Sequence, residues 1–135
     1  MFDITREAVA DTAECELDKA NGTPMLGEKG KRCSITLYGP GSDQFAEMQA
    51  RRQKRNIARI TNGTEVSIEE ERQMQAEDLA DITVSFNNFA YPGEFATPRA
   101  MFVACYLDRK IGFVREKANS ELTWGKFASA SSPAK

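Results

Sequence analysis

Histidine is absent from this 135-residue chain. That absence excludes Ser-His and Cys-His nucleophiles and removes the commonest transition-metal ligand. Cysteine is scarce: Cys15, Cys33 and Cys105 are an odd number with no close pair. Neither a disulfide framework nor a thiolate metal site is indicated, and each cysteine reads as a small core hydrophobe. Cys15 and Cys33 lie on the apolar phase of two expected strands and could neighbour each other across a hairpin. No apolar run approaches the roughly 18 residues that would span a bilayer. The opening MFDITREAVADTAECEL is acidic and broken by charges, so it does not read as a secretory signal. Charge of one sign is lacking too: the formal net charge is −2, which favours neither nucleic acid nor an anionic membrane. No cofactor motif and no metal-ligand spacing occurs. The expectation is a single non-enzymatic domain over residues 1–128, a flexible tail over 129–135, and cytoplasmic residence.

What the chain does have is centred on residues 33–60. In Cys33-Ser34-Ile35-Thr36-Leu37-Tyr38 the apolar Cys33, Ile35 and Leu37 alternate with Ser34, Thr36 and Tyr38. Period two predicts a half-buried strand whose second face is wet. Gly39-Pro40-Gly41 ends it, and Ser42 or Asp43 can cap the helix that follows. Upstream, Ala13, Cys15 and Leu17 alternate with Glu14, Glu16 and Asp18, predicting an antiparallel partner strand. Asn21-Gly22 gives a turn signal, and Met25 to Arg32 reads as a long hairpin loop with Gly27 and Gly30 as flexible points. Two strands alone are marginal, so helices must cover their apolar face.

A first helix is expected from Asp43 to Ile60. At ~100° per residue, Ala46, Ala50, Gln53, Ile57 and Ile60 fall on one side, and Arg51, Arg52, Arg55 and Arg59 on nearly the opposite side. Phe45 and Met48 sit in the first turns, where they can reach back onto the strands. Asn62 or Gly63 suits a left-handed cap. Ser67-Ile68-Glu69-Glu70 is a capping box opening a second helix that ends near Thr83, with Ile68, Ala76, Leu79 and Ile82 on one stripe. Glu70, Glu77 and Asp81 oppose that stripe, with Glu71 and Asp78 flanking them. Residues 43–83 thus predict an αα-hairpin. Val84 to Gly93 reads as a small hairpin or an ordered loop. Thr97-Pro98 starts a third helix, about 97–107, which is apolar almost all round from Met101 to Leu107. A fourth is expected over 109–124, with Ile111, Val114, Ala118 and Leu122 on one stripe, followed by a frayed polar end from Ala128. The fold class is therefore α+β: an N-terminal antiparallel hairpin or small sheet covered by three to four helices.

Three features carry candidate chemistry. The run ARRQKRNIAR aligns arginines that could neutralise phosphates, or could be solvated, or could be matched by the acidic second helix. GPGS before a helix could cradle an anion, but it lacks P-loop spacing and reads as a plain turn. Phe113 and Trp124, with Lys117 between them, project off the main stripe of the expected fourth helix. They are either partner contacts or a second core contact.

The order ITLYGPGSDQFAEMQARRQKR, LADITVSFNNFAYPG and IGFVREKANSELTWGKF resembles the tail assembly chaperones of tailed bacteriophages and prophages over residues 12–128. The resemblance implies a non-enzymatic protein without cofactor that binds the tape measure protein and recruits tail tube protein in the host cytoplasm. It also implies departure before the virion is complete, and a longer frameshifted form in many members. The family transfers no fixed binding residues. Candidate partner contacts from the physics are Phe113, Lys117 and Trp124, with Arg51, Arg52, Arg55 and Arg59. A homo-oligomer stays open. The rival classes are a structural protein of the virion tail or neck and a small nucleic-acid-binding regulator.

Overall fold

The alternation at 33–38 produces the central strand of a three-stranded antiparallel sheet. The computed structural model describes the backbone of residues 1–131 and the side chains of residues 1–128. β1 (Thr12–Glu16) pairs with β2 (Ser34–Tyr38), and β2 pairs on its other edge with β3 (Thr83–Asn87). The register sets Ala13 opposite Leu37 and Cys15 opposite Ile35, so the apolar phases of the two strands coincide. Cys33 lies one step further along, where the Leu17 amide donates to its carbonyl at 2.9 Å. The connection between β1 and β2 is an extended hairpin arm, with single bridges at Asp18–Pro24 and Leu26–Arg32.

β3 was expected only as a hairpin or loop, and the second helix was expected to reach Thr83. A bulge explains the difference. Thr36 pairs with Ser85 and Leu37 with Thr83, leaving Val84 as an extra residue on β3. The extra residue flips the side-chain phase. Thr83 and Phe86 therefore share the inner face although they are an odd number of residues apart, and the period-two signal is erased.

Among the described residues five α-helices follow or interleave: α1 (Asp43–Asn62), α2 (Ile68–Asp81), α3 (Pro98–Leu107), α4 (Gly112–Ser120) and α5 (Trp124–Ser131). Their ends follow from local chemistry. Ser42 caps α1 by accepting from the Phe45 amide at 3.1 Å, and Gly63 ends it in the left-handed region at φ 63°. At α2 both bonds of the capping box form: Glu70 N–H to Ser67 Oγ at 3.1 Å and Ser67 N–H to Glu70 Oε1 at 3.3 Å. Thr97 caps α3, with Pro98 in the first turn.

The single helix expected over 109–124 is two. A short 3-10 turn at Arg109–Ile111 precedes α4, and the chain breaks again before Trp124. Thr123 Oγ1 accepts from the Lys126 amide at 3.2 Å and so starts α5. The frayed end expected from Ala128 is helical through Ser131; residues 132–135 of the expected tail lie outside the described residues.

One hydrophobic cluster unites the sheet with α2 to α5: Leu17, Ile35, Leu37, Ile82, Tyr106 and Phe127 are among its fully buried side chains. α2 packs along α3 and α5 lies against β1. Phe127 is seated directly on Gly39, where any side chain would collide with its ring. Phe86 joins β3 to α3: its ring centroid lies 4.5 Å from Phe89 and 4.6 Å from Phe102. Tyr106 is buried with its hydroxyl 2.7 Å from Thr83 Oγ1, which itself donates to the Leu79 carbonyl at 2.8 Å. No residue between Met101 and Leu107 is exposed, as its sequence leads one to expect.

The second face of the sheet is not uniformly wet. Ser34 is buried: its hydroxyl donates to Glu14 Oε2 at 2.6 Å and accepts from Asn87 Nδ2 at 3.0 Å. Asn87 Nδ2 also donates to Thr36 Oγ1 at 2.9 Å. This polar ladder crosses all three strands and closes over Ser34.

Candidate protein-binding surface

α1 presents two faces, and the charged one is turned inward. Phe45 and Met48 occupy its first turns and pack on the core, Met48 fully buried. A straight helix carries that rotational phase along its length. Positions 52, 55 and 59 lie within about 40° of Met48 at 100° per residue, so Arg52, Arg55 and Arg59 follow it toward α2.

There the arginines meet carboxylates. Arg55 Nη2 lies 2.8 Å from Asp78 Oδ2 and Arg52 Nε 3.3 Å from the same oxygen. Arg59 pairs with Glu71 at 3.1 Å. Arg51 reaches Asp81 at 3.0 Å, and Arg99 of α3 reaches the other Asp81 oxygen at 2.6 Å. Hydrogen bonding to Asp78 raises the Arg55 pKa above its ordinary value, and Asp81 does the same for Arg99. Asp78 is only 3% exposed, and the guanidiniums of Arg52 and Arg55 supply the partners that a buried carboxylate needs. A polar cleft of about 440 Å³ separates α1 from α2, lined by Phe45, Met48, Arg52, Arg55, Gln75 and Asp78 among others. Charge rather than close apolar packing spans most of this interface.

The opposite face of α1 is consequently left in solvent. Ile57 is 55% exposed and Ile60 82%, and Ala46, Ala50 and Gln53 are exposed with them. On α2, Ala76 and Leu79 face inward as expected and so does Ile82 beyond its end, whereas Ile68 at its start is exposed.

Phe113, Lys117 and Trp124 do not share one helix face. The chain break before α5 puts Phe113 and Trp124 on different helices. Phe113 is partly buried against the core, which is the second of its two sequence readings, and Lys117 is half-buried. Trp124 is 61% exposed. Its ring lies above Gly41: a Cβ there would sit 3.4 Å from the indole and 3.0 Å from Val9. Three residues on, Phe127 anchors the same helix in the core, and the Ala10 amide donates to the Phe127 carbonyl at 3.2 Å. Trp124 is therefore a large apolar ring on a fixed base.

Among the described residues, no group of three His, Cys, Asp or Glu side chains is arranged to hold a metal ion, and no helix is long and apolar enough to cross a membrane. No family model, curated protein or solved structure matches the chain.

Proposed function

We infer that this chain is a non-enzymatic protein-binding module of tailed-phage morphogenesis, a tail assembly chaperone. It holds apolar helical segments of the tape measure protein in the host cytoplasm and brings tail tube subunits to them. The segment order over residues 12–128 suggests the family. The observation that carries the binding role is the exposed Trp124 ring on its anchored helix. Tryptophan at the centre of an interface supplies a large contact area at small entropic cost, and truncating such a residue commonly costs about 2 kcal/mol or more in binding.

The ion pairs of Arg51, Arg52, Arg55 and Arg59 commit these side chains to Asp78, Asp81 and Glu71. That weighs against the arginine run as a phosphate-binding face. The test is Trp124→Ala. Co-purification with a tape measure fragment is expected to fall sharply while the melting temperature stays near wild type. Undiminished capture by a normally folded variant would overturn the assignment of Trp124. Finding the protein as a stoichiometric part of purified particles would overturn the chaperone reading in favour of a structural tail protein.

A further inference from the structure

We propose that α1 pairs with α1 of a second copy of this chain, antiparallel, through its outward face. The proposal rests on a pattern in that face and is independent of the tail assembly reading. Ala46, Ala50, Gln53, Ile57 and Ile60 recur at alternating steps of four and three, the spacing of a coiled-coil seam. All five are exposed along a helix of 20 residues whose opposite side is held to α2 by ion pairs. A single exposed isoleucine needs no explanation; a heptad seam along a helix whose inward face is charged does.

The residues flanking the seam select the occupant. On one side stand Glu47 and Lys54, one heptad apart and opposite in charge. On the other stand Gln49 and Asn56, two side-chain amides. All four are exposed, and neither Glu47 nor Lys54 makes an ion pair among the described residues. An antiparallel pair brings like flanks together. With Ala46 facing Ile57 of the second copy and Ala50 facing Gln53, Glu47 of each copy meets Lys54 of the other. The same register sets Gln49 against Asn56. Asn56 Oδ1 already accepts from Arg59 at 3.1 Å, so its NH₂ is left to donate to Gln49. In a parallel pair Lys54 would face the uncharged Gln49, and Glu47 would have no basic group opposite it. Over residues 46–57 the seam is thus self-complementary in one orientation: Ala46 meets Ile57, acid meets base, and the two helix dipoles oppose, while Ile60 lies beyond that stretch, opposite Asp43. The ion pairs behind α1 fix its rotation, so the seam is presented without rearrangement.

Sedimentation of the full chain over a micromolar concentration series tests this. Wild type is expected to dimerise reversibly. Ile57→Glu should weaken the dimer by roughly tenfold or more with an unchanged circular dichroism spectrum and melting temperature measured at a concentration where wild type is monomeric. Glu47→Lys and Lys54→Glu should each weaken it, and the double reversal E47K/K54E should restore it, because only the antiparallel register pairs these two positions. A chain that stays monomeric throughout overturns the proposal. So does a dimer indifferent to Ile57→Glu, or one whose charge reversals are not rescued in combination. Monomeric protein that loses capture of a tape measure fragment on Ile57→Glu would assign the seam to the client and overturn self-pairing as well.

Discussion

Arg55 and Asp78 meet end-on, with Nη2 2.8 Å from Oδ2 and Nη1 3.3 Å from Oδ1. A forked contact of this kind fixes the planes of both groups, not merely their separation. Because Arg52 donates to the same buried carboxylate, Asp78 joins α1 to α2 where apolar contact is sparse. Arg55 Nε remains a buried donor without a partner among the described residues, so this junction is not fully satisfied.

Asp78→Asn is accordingly expected to lower stability by about 1–3 kcal/mol, because two guanidiniums lose the buried anion they share. Arg51→Ala should cost no more than roughly 1 kcal/mol: Arg51 is half exposed, and its partner Asp81 keeps Arg99. Urea titration of the two variants checks the ranking. Equal losses would show that the Asp78 junction contributes no more than a surface pair.

On the sheet, Leu37→Ala removes a buried side chain beneath the helices and should cost on the order of 2–5 kcal/mol. Ser34→Ala is not neutral, contrary to the wet-face expectation. It deletes a donor to Glu14 and an acceptor for Asn87 at a buried position, and about 1–2 kcal/mol is expected. Denaturant midpoints of both variants decide it, and an unchanged midpoint for Ser34→Ala would argue against the closed polar ladder.

Phe127→Ala should be among the most damaging single changes, at about 3–5 kcal/mol, since the ring is fully buried on Gly39. Thermal unfolding of Phe127→Ala beside Trp124→Ala separates the two aromatics of α5. The first should melt early and the second near wild type.

Two buried thiols give an alkaline limb to the stability profile. Burial pushes Cys15 and Cys105 up to about 11. In the unfolded chain they lose their protons near 9, so between about 9 and about 11 the folded state holds the extra protons. Stability from these groups is therefore complete below pH 9 and lost as pH rises through 11. Chemical denaturation of wild type across that window should show a steeper decline than a Cys15→Ala/Cys105→Ala variant. Parallel profiles would mean that other groups set the alkaline limit.

The sequence alone determined much of this molecule because much of it is locally encoded. The phases of β1 and β2, the caps at Ser42, Ser67 and Thr97, the left-handed Gly63 and the buried α3 each depend on residues within a few positions. Thr123 belongs with them: a capping threonine stands before Trp124, although the stripe from Ile111 to Leu122 favours a continuous helix. What tertiary structure decided was which of two faces meets what. β3 is a strand because β2 offers it an edge, and the bulge at Val84 hides the alternation by which a strand is recognised. α1 carries an apolar stripe and a basic stripe of similar length, and helical periodicity gives their angular separation without saying which turns inward. Phe45 and Met48 set that choice at the first turns and Asp78 completes it, a long-range pairing that no spacing along the chain displays. Trp124 and Phe127 differ for the same reason: they are three residues apart on one helix, and only the place of Gly39 beneath the sheet-to-helix turn makes one of them core and leaves the other in solvent.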